Sequence, residues 1–277
     1  MLMSEFILEI YGEEIPSSAQ HLAEKELEGL FKTMLKDKDV DYKKIQVFST
    51  PRRLTVFIRN VAKLVGSESI ELRGPRTSSN KEAINGFLRS NKISSIRKLR
   101  TKIIKDNEYF VFMKEKPPQK VNEIFSKNIP SILGSIKWKK SMRWADNNER
   151  WIRPINSILC VFNKCKVSFN FAGIKSDVYS YGNYHYSRRK NKCLDIKTYG
   201  KILKKNFVIL DREERKKIIL EKLKKFCKSE NLVFELDENL LTRVSDSIEF
   251  PNLFFGSFNK IYFKLPDFLL KTIISEK

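Results

Sequence analysis

Histidine is almost missing from this chain: His21 and His185 are the only two among 277 residues, and neither stands beside an aspartate in sequence. A His–Asp metal site or a His-based nucleophile therefore has little material to work with. The four cysteines, at 160, 165, 193 and 227, form no C-x-x-C pair, which removes zinc-finger spacings and leaves reduced thiols as the expectation. There is no G-x-G-x-x-G or G-x-x-x-x-G-K-[ST] phosphate loop, no G-x-S-x-G elbow and no H-E-x-x-H. Long apolar runs are also lacking. Even the longest, such as Ile158 to Phe162, are far too short to cross a bilayer, and Glu5 and Glu9 interrupt the apolar start where a secretory signal would lie. These absences predict a cytoplasmic chain that carries no metal, no cofactor and no catalytic residue of its own.

What the chain has in excess is positive charge. Lys+Arg number 54 against 33 Asp+Glu, a net of +21. With 41% hydrophobic and 12% aromatic residues, it can still bury a core and is not a disordered basic tail. Of the 54 cations 38 are Lys, which supplies diffuse solvated charge, and 16 are Arg, the better reader of phosphates and base edges. Such a balance favours nucleic acid ahead of a membrane surface, although a compositional bias toward surface lysine also contributes. The charge is unevenly placed. Residues 1–31 hold seven Glu and one Lys, whereas residues 188–228 hold sixteen Lys/Arg and five Asp/Glu. A solvated helix face and an RNA backbone track both fit that basic run.

Periodicity predicts an α+β fold with mixed or antiparallel sheets and packed helices, followed by a basic helical segment. Phe6, Leu8 and Ile10 alternate with Ile7, Glu9 and Tyr11 as a strand. Ser17 and Gln20 read as a capping box for a helix striped by Ala23, Leu27, Phe31 and Leu35. Strands are expected at 45–48 and 54–59, 109–113, 155–162, 167–171 and 253–255, with a turn at Asn163-Lys164. Loops are expected around Gly74-Pro75 and Ser78-Ser79-Asn80. Helices are expected over 81–90, beyond Pro117-Pro118 with a break at Pro130, from Asp195, over 211–228 and near 237–246. The predicted domains are an N-terminal α+β region over 1–190 and a basic helical region and tail over 191–277.

The candidate functional residues are arginines beside proline or tryptophan. Pro51-Arg52-Arg53-Leu54 places Arg52 and Arg53 at a strand start, facing opposite ways, and Arg73-Gly74-Pro75-Arg76 places Arg73 and Arg76 around a turn. Lys139, Lys140, Arg143 and Trp144 follow Trp138, and Arg153 follows Trp151. Arginine beside an aromatic ring suits stacking on a base, yet each can equally hold a loop by bonding carbonyls or carboxylates. All nine are RNA-binding or loop-anchoring candidates. Glu13-Glu14 read as helix-dipole partners rather than a catalytic pair.

The order of the fragments carries a resemblance. Gly12-Glu13-Glu14-Ile15-Pro16, Pro51-Arg52-Arg53-Leu54, Arg73-Gly74-Pro75, Ala83-Ile84-Asn85-Gly86-Phe87, Met142-Arg143-Trp144 and Arg153-Pro154 occur in that order. Ile174-Lys175-Ser176-Asp177, Glu214-Arg215-Lys216 and Glu249-Phe250-Pro251 complete the set. Over nearly the whole chain this resembles the β subunit of the bacterial heterotetrameric glycyl-tRNA synthetase. The resemblance implies a non-catalytic part of a glycine–tRNA ligase of two α and two β subunits. ATP with Mg is used by the α subunit to activate glycine, and the β chain contributes tRNA(Gly) and subunit contacts without touching membrane. It also implies that the sequence matches only the N-terminal portion, ending before the HD-like and anticodon-binding domains, as a split subunit, a degraded gene or a truncated frame would. A remnant that serves as a general RNA-binding scaffold is the alternative. One departure stands out: Gly182-Asn183-Tyr184-His185 replaces the family's Gly-His-Arg-Phe.

Overall fold

A computed structural model of the chain describes residues 4–66, 69–104, 106–115, 118–257 and 259–276. Pro117 of the proline pair and Phe258 in the tail lie outside the described residues. The chain opens with β1 (Glu5–Gly12), α1 (Ser17–Asp37) and the hairpin β2 (Lys44–Thr50) and β3 (Arg53–Arg59). Then come β4 (Leu64–Val65), β5 (Ser69–Arg76), α2 (Lys81–Ser90), β6 (Arg100–Ile104), β7 (Asn107–Glu115) and β8 (Gln119–Lys120). After α3 (Val121–Gly134) run β9 (Ile155–Phe162), β10 (Cys165–Lys166), β11 (Asn170–Phe171), β12 (Ile174–Asp177), β13 (Tyr179–Tyr181) and β14 (Lys190–Lys192). Helices α4 (Ile196–Lys205), α5 (Arg212–Ser229), α6 (Glu238–Ser247) and α7 (Asp267–Glu276) complete this α+β fold.

Two compact units emerge, one made of residues 1–62 with 122–277, the other of residues 63–121. The division does not follow the boundary expected at 190, and the reason is packing. Cys193, Ile196, Tyr199, Leu203 and Val208 share one buried cluster with Ile7, Phe57, Leu159 and Val161, so the start of the basic region helps to form the core of the first strand.

In the larger unit a seven-stranded sheet runs in the order β11-β12-β9-β1-β3-β2, with β10 also paired to β9. Strand β1 lies antiparallel between β3 and β9, with Glu9 opposite Thr55 on one side and Leu159 on the other. Its alternation serves two covered faces rather than one. Phe6 stacks on Phe125 of α3 at 4.2 Å and meets Phe31 of α1 at 5.7 Å, while Ile7 belongs to the α4 face. Helices therefore cover both sides of the sheet, which is why β1 is buried at nearly every position.

The capping box does not form. Pro16 precedes α1 and no side chain caps it. Gln20 is instead buried, its amide donating to the carbonyls of Ile15 and Asp246 while its oxygen accepts from Ser49. The distant partners outcompete the local one. Asp195 and Asp211 do cap α4 and α5, accepting from the N–H groups of Thr198 and Glu213. Helix α3 continues through Pro130. Asn163 and Lys164 make the tight turn after β9 with positive φ of 49° and 64°. The strand expected at 167–171 shrinks to Asn170–Phe171, and 253–255 forms no strand.

In the smaller unit β5, β7 and β6 form an antiparallel sheet beside α2. Gly74-Pro75, expected as loop, lies inside β5 where the register with β7 shifts between Arg73 and Arg76. An irregular ladder accommodates the proline's missing N–H. A Cβ at Gly74 would stand 2.9 Å from the Phe87 ring and 3.1 Å from the Phe110 carbonyl, so two fragments of the resemblance, Arg73-Gly74-Pro75 and Ala83 to Phe87, pack on each other.

Phe125 is wholly buried between Phe6 and Phe162, and Phe125→Ala is expected to cost about 3–5 kcal/mol. Urea denaturation checks this; a loss below about 1 kcal/mol would contradict the three-ring core.

Candidate nucleic-acid interface

Three of the ordered fragments meet at one corner of the larger unit. Where β1 ends, the Gly12 N–H donates to the Arg52 carbonyl and the Glu13 N–H to the Pro154 carbonyl, both at 3.0 Å, while the Ile15 N–H reaches the Pro51 carbonyl. A Cβ on Gly12 would lie 2.5 Å from the Pro154 oxygen, so only glycine lets the two main chains approach this closely. The segments around Gly12, Pro51 and Pro154 thus form one junction.

Arg52 and Arg53 leave this junction in different directions, and both are engaged by protein. Arg52 pairs with Glu13 and Glu14 at 3.2 and 3.6 Å and lies 4.0 Å over the Tyr184 ring. Glu13 and Glu14 therefore serve this arginine, not the dipole of α1. Arg53 is 0% exposed. It ion-pairs with Glu249, lies 3.3 Å from Glu9 through Nε, and donates to the carbonyls of Tyr181 and Gly182 at 2.7 and 2.8 Å. Burial opposes its charge, but Glu249 and Glu9 outweigh that and hold its pKa above the ordinary arginine value. A guanidinium enclosed in this way has no surface to offer a phosphate. It is a loop anchor.

Around it the polar groups form a connected interior. Tyr199 donates to Glu9 at 2.5 Å and Ser180 donates to the same carboxylate oxygen at 2.9 Å, while Thr50 holds Glu249 at 2.7 Å. Burial raises the Glu9 pKa despite the neighbouring arginine, and its second oxygen has no hydrogen-bond partner among the described residues. Asn183 fills part of the altered segment. Its amide reaches Glu249 at 3.4 Å and its oxygen accepts the His185 N–H at 2.9 Å.

A second buried arginine stands nearby. Arg215 donates to the carbonyls of Ser245, Ile209, Leu210 and Ser49, at 2.7, 2.8, 2.9 and 3.2 Å. Burial pushes its pKa down to about 10, with Asp246 opposing. Arg212 bridges Glu24 and Asp246. The basic window over 188–228 thus turns two of its arginines inward. Arg188, Arg189, Lys192, Lys197, Lys201, Lys205, Lys224, Lys225 and Lys228 are exposed.

Three of the sequence candidates converge on the surface. Lys139, Lys140 and Arg153, with Lys137, surround a groove of about 380 Å³ floored by Trp138, Ile152 and the start of α1. Trp138 packs edge-on against buried Trp151 at 5.0 Å, and Trp151 against Phe171 at 5.7 Å, so a rigid aromatic base carries flexible cations. Arg143 is exposed and Trp144 half-buried, next to the main-chain bridge between Met142 and Trp151. Arg73 and Arg76 belong to the smaller unit, where both are exposed and lie 3.8 and 5.8 Å from the Tyr109 ring centre. The Arg76 hydrogen bond to the phenol, at 3.2 Å, lowers the Tyr109 pKa.

Glu9, Glu249, Tyr199 and Arg215 were not among the sequence candidates. The available signal was Glu9 itself, a carboxylate in the middle of an otherwise apolar strand, which demands a buried partner.

The comparisons with known proteins agree with this collinear set of fragments. A family model described as "Glycyl-tRNA synthetase beta subunit" matches residues 6–277. The chain belongs to that family. It is 32% identical over 264 residues to the glycine–tRNA ligase beta subunit of Rickettsia bellii strain OSU 85-389, and 32% identical over 264 residues to that of Rickettsia akari strain Hartford. The Rickettsia felis protein of the same name is 32% identical over 267 residues. Each alignment covers 95% of this chain and 40% of the relative, so the chain spans well under half the length of the curated relatives it matches. Among the described residues no helix is long and apolar enough to cross a membrane.

Arg53→Ala leaves Glu9 and Glu249 buried without their cation and is expected to cost about 3–5 kcal/mol, measured by urea denaturation. Arg53→Lys should recover only part of this, because one ammonium cannot serve both carboxylates and two carbonyls. The raised Glu9 pKa sets a sign for pH. Its contribution is fully present below the unfolded value of 4.5 and is lost as pH rises through the folded value. The stability of wild type relative to Glu9→Gln should therefore fall as pH rises above 4.5. A flat or rising difference above that pH would contradict the assignment.

Proposed function

We propose that the chain works as the tRNA-contacting β component of a glycine–tRNA ligase, with the α subunit supplying glycine activation from ATP and Mg. The observation that carries this reading is the division of labour among its cations. Three arginines of the family fragments, Arg52, Arg53 and Arg215, are consumed inside the protein. Exposed cations stand around the Trp138 groove and along α4 and α5. Lysines held on a rigid base suit a phosphate backbone read by charge rather than by base edges. Family membership supports tRNA(Gly) as the polyanion and an α subunit as the protein partner. Lys137, Lys139, Lys140, Arg143 and Arg153 are assigned to tRNA backbone contacts, with Trp144 beside them. Arg73 and Arg76 offer the smaller unit a separate contact.

The test is tRNA(Gly) binding by the full chain across a salt series, alone and with its cognate α subunit. Affinity should fall steeply with salt. The triple variant Lys139→Ala, Lys140→Ala, Arg153→Ala should weaken binding and reduce the log–log salt slope by about one for each phosphate no longer neutralised. Binding to neither tRNA nor the α subunit at low salt would overturn the reading, and an unchanged slope in the variant would remove the groove from it.

A further inference from the structure

One surface of the larger unit is used by none of these assignments. Tyr186, Phe207 and Phe250 are 61%, 41% and 37% exposed, yet they touch one another. Ring centroids lie 5.4 Å apart for Tyr186 and Phe207, 5.3 Å for Phe207 and Phe250, and 6.5 Å for Tyr186 and Phe250. Three aromatic rings gathered in contact and left open to water form a patch that monomeric proteins seldom keep without a use. Phe207 is costly in its backbone as well. Its φ of +60° is a left-handed conformation that a bulky side chain rarely adopts, directly after the C-terminus of α4 where asparagine or glycine would serve without strain.

The neighbourhood is cationic. Tyr184 is sandwiched between the guanidinium groups of Arg52 and Arg188, at 4.0 and 3.9 Å from its ring centre. Arg189 and Lys205 are exposed on the flanking segments. Pro51, Arg52, Tyr184, His185, Tyr186 and Phe250 line a hollow of about 270 Å³ at the foot of the patch. The nearby carboxylates are already engaged, Glu14 with Arg52 and Glu249 with Arg53. Exposed rings with exposed cations at their margin match a ligand that has flat apolar faces joined by negative charge. An apolar protein partner would need the rings but not the arginines.

We infer that Tyr186, Phe207 and Phe250 form a stacking platform for unpaired RNA bases, with Arg188, Arg189 and Lys205 meeting the adjoining phosphates. This deepens the tRNA reading, on which it rests, by assigning single-stranded nucleotides to this patch and leaving paired backbone to the Trp138 groove. Stacking tolerates any base, so the platform contributes affinity rather than sequence choice.

The experiment compares a short, unstructured, fluorescently labelled RNA strand with the same strand in a duplex, both bound by the full chain. Phe207→Asn suits the positive φ and should fold at least as well as wild type while removing a ring. Tyr186→Ala removes a mostly exposed ring and provides an independent second variant. Each should weaken single-strand binding by about ten-fold at unchanged salt slope, and leave duplex binding within about two-fold. Wild-type single-strand affinity in both variants would overturn the platform while leaving the tRNA reading intact. So would RNA binding that stays normal while association with the α subunit is lost, which would make the patch a protein contact. Failure of the wild type to bind any RNA would overturn both.

Discussion

Arg53 is the point on which the larger unit depends. Its guanidinium joins Glu9 on the central strand, Glu249 beyond α6, and two main-chain carbonyls of the 181–182 segment. Two carboxylates left in that interior without a cation would each face a large desolvation penalty, and the cation alone would face the same. The elements that supply these groups are consequently locked into one arrangement. Hydrophobic contacts could tolerate small slips of α4 against the sheet, whereas the Tyr199 hydrogen bond to Glu9 fixes its rotation and depth.

Among the described residues every buried cation is an arginine. The planar, multi-donor guanidinium is used where several acceptors must be met at once, as in the four-carbonyl cage around Arg215 and the Glu24–Asp246 bridge of Arg212. Lysine dominates the exposed face, where a hydrated point charge meets solvent or a polyanion. Three of the arginines counted in the net charge of +21, Arg52, Arg53 and Arg215, are thus spent on the fold.

Local patterns were readable in the sequence wherever local forces decide them. The helix over 81–90 and the strand over 155–162 coincide with expectation, because an asparagine cap and a run of β-branched and aromatic residues act over a few positions. Gln20 and Gly74-Pro75 depart from their local patterns for the opposite reason. The first serves Asp246 and Ser49, the second fits a strand whose partner lies some 35 residues away, at Tyr109. Among the candidate site residues, the Lys139, Lys140 and Arg153 grouping is invisible to spacing, since the Met142–Trp151 bridge folds the chain back to bring them together. In the sequence Arg53 is one of two arginines in a Pro-Arg-Arg-Leu motif, and its inward direction is set by Glu9 and the distant Glu249.

That pairing also has a temporal side. The partners Arg53 and Glu249 are separated by 196 positions, and the first strand holds the carboxylate that completes the group. Contacts of such long range close late, after the entropy of a large loop has been given up. During synthesis the N-terminal strands emerge well before residue 249 is made, so until then Glu9 and Arg53 must remain hydrated or hold each other alone. The core of this unit is in effect sealed from its C-terminal side, and its first-made strands reach their final burial only once the late residues arrive.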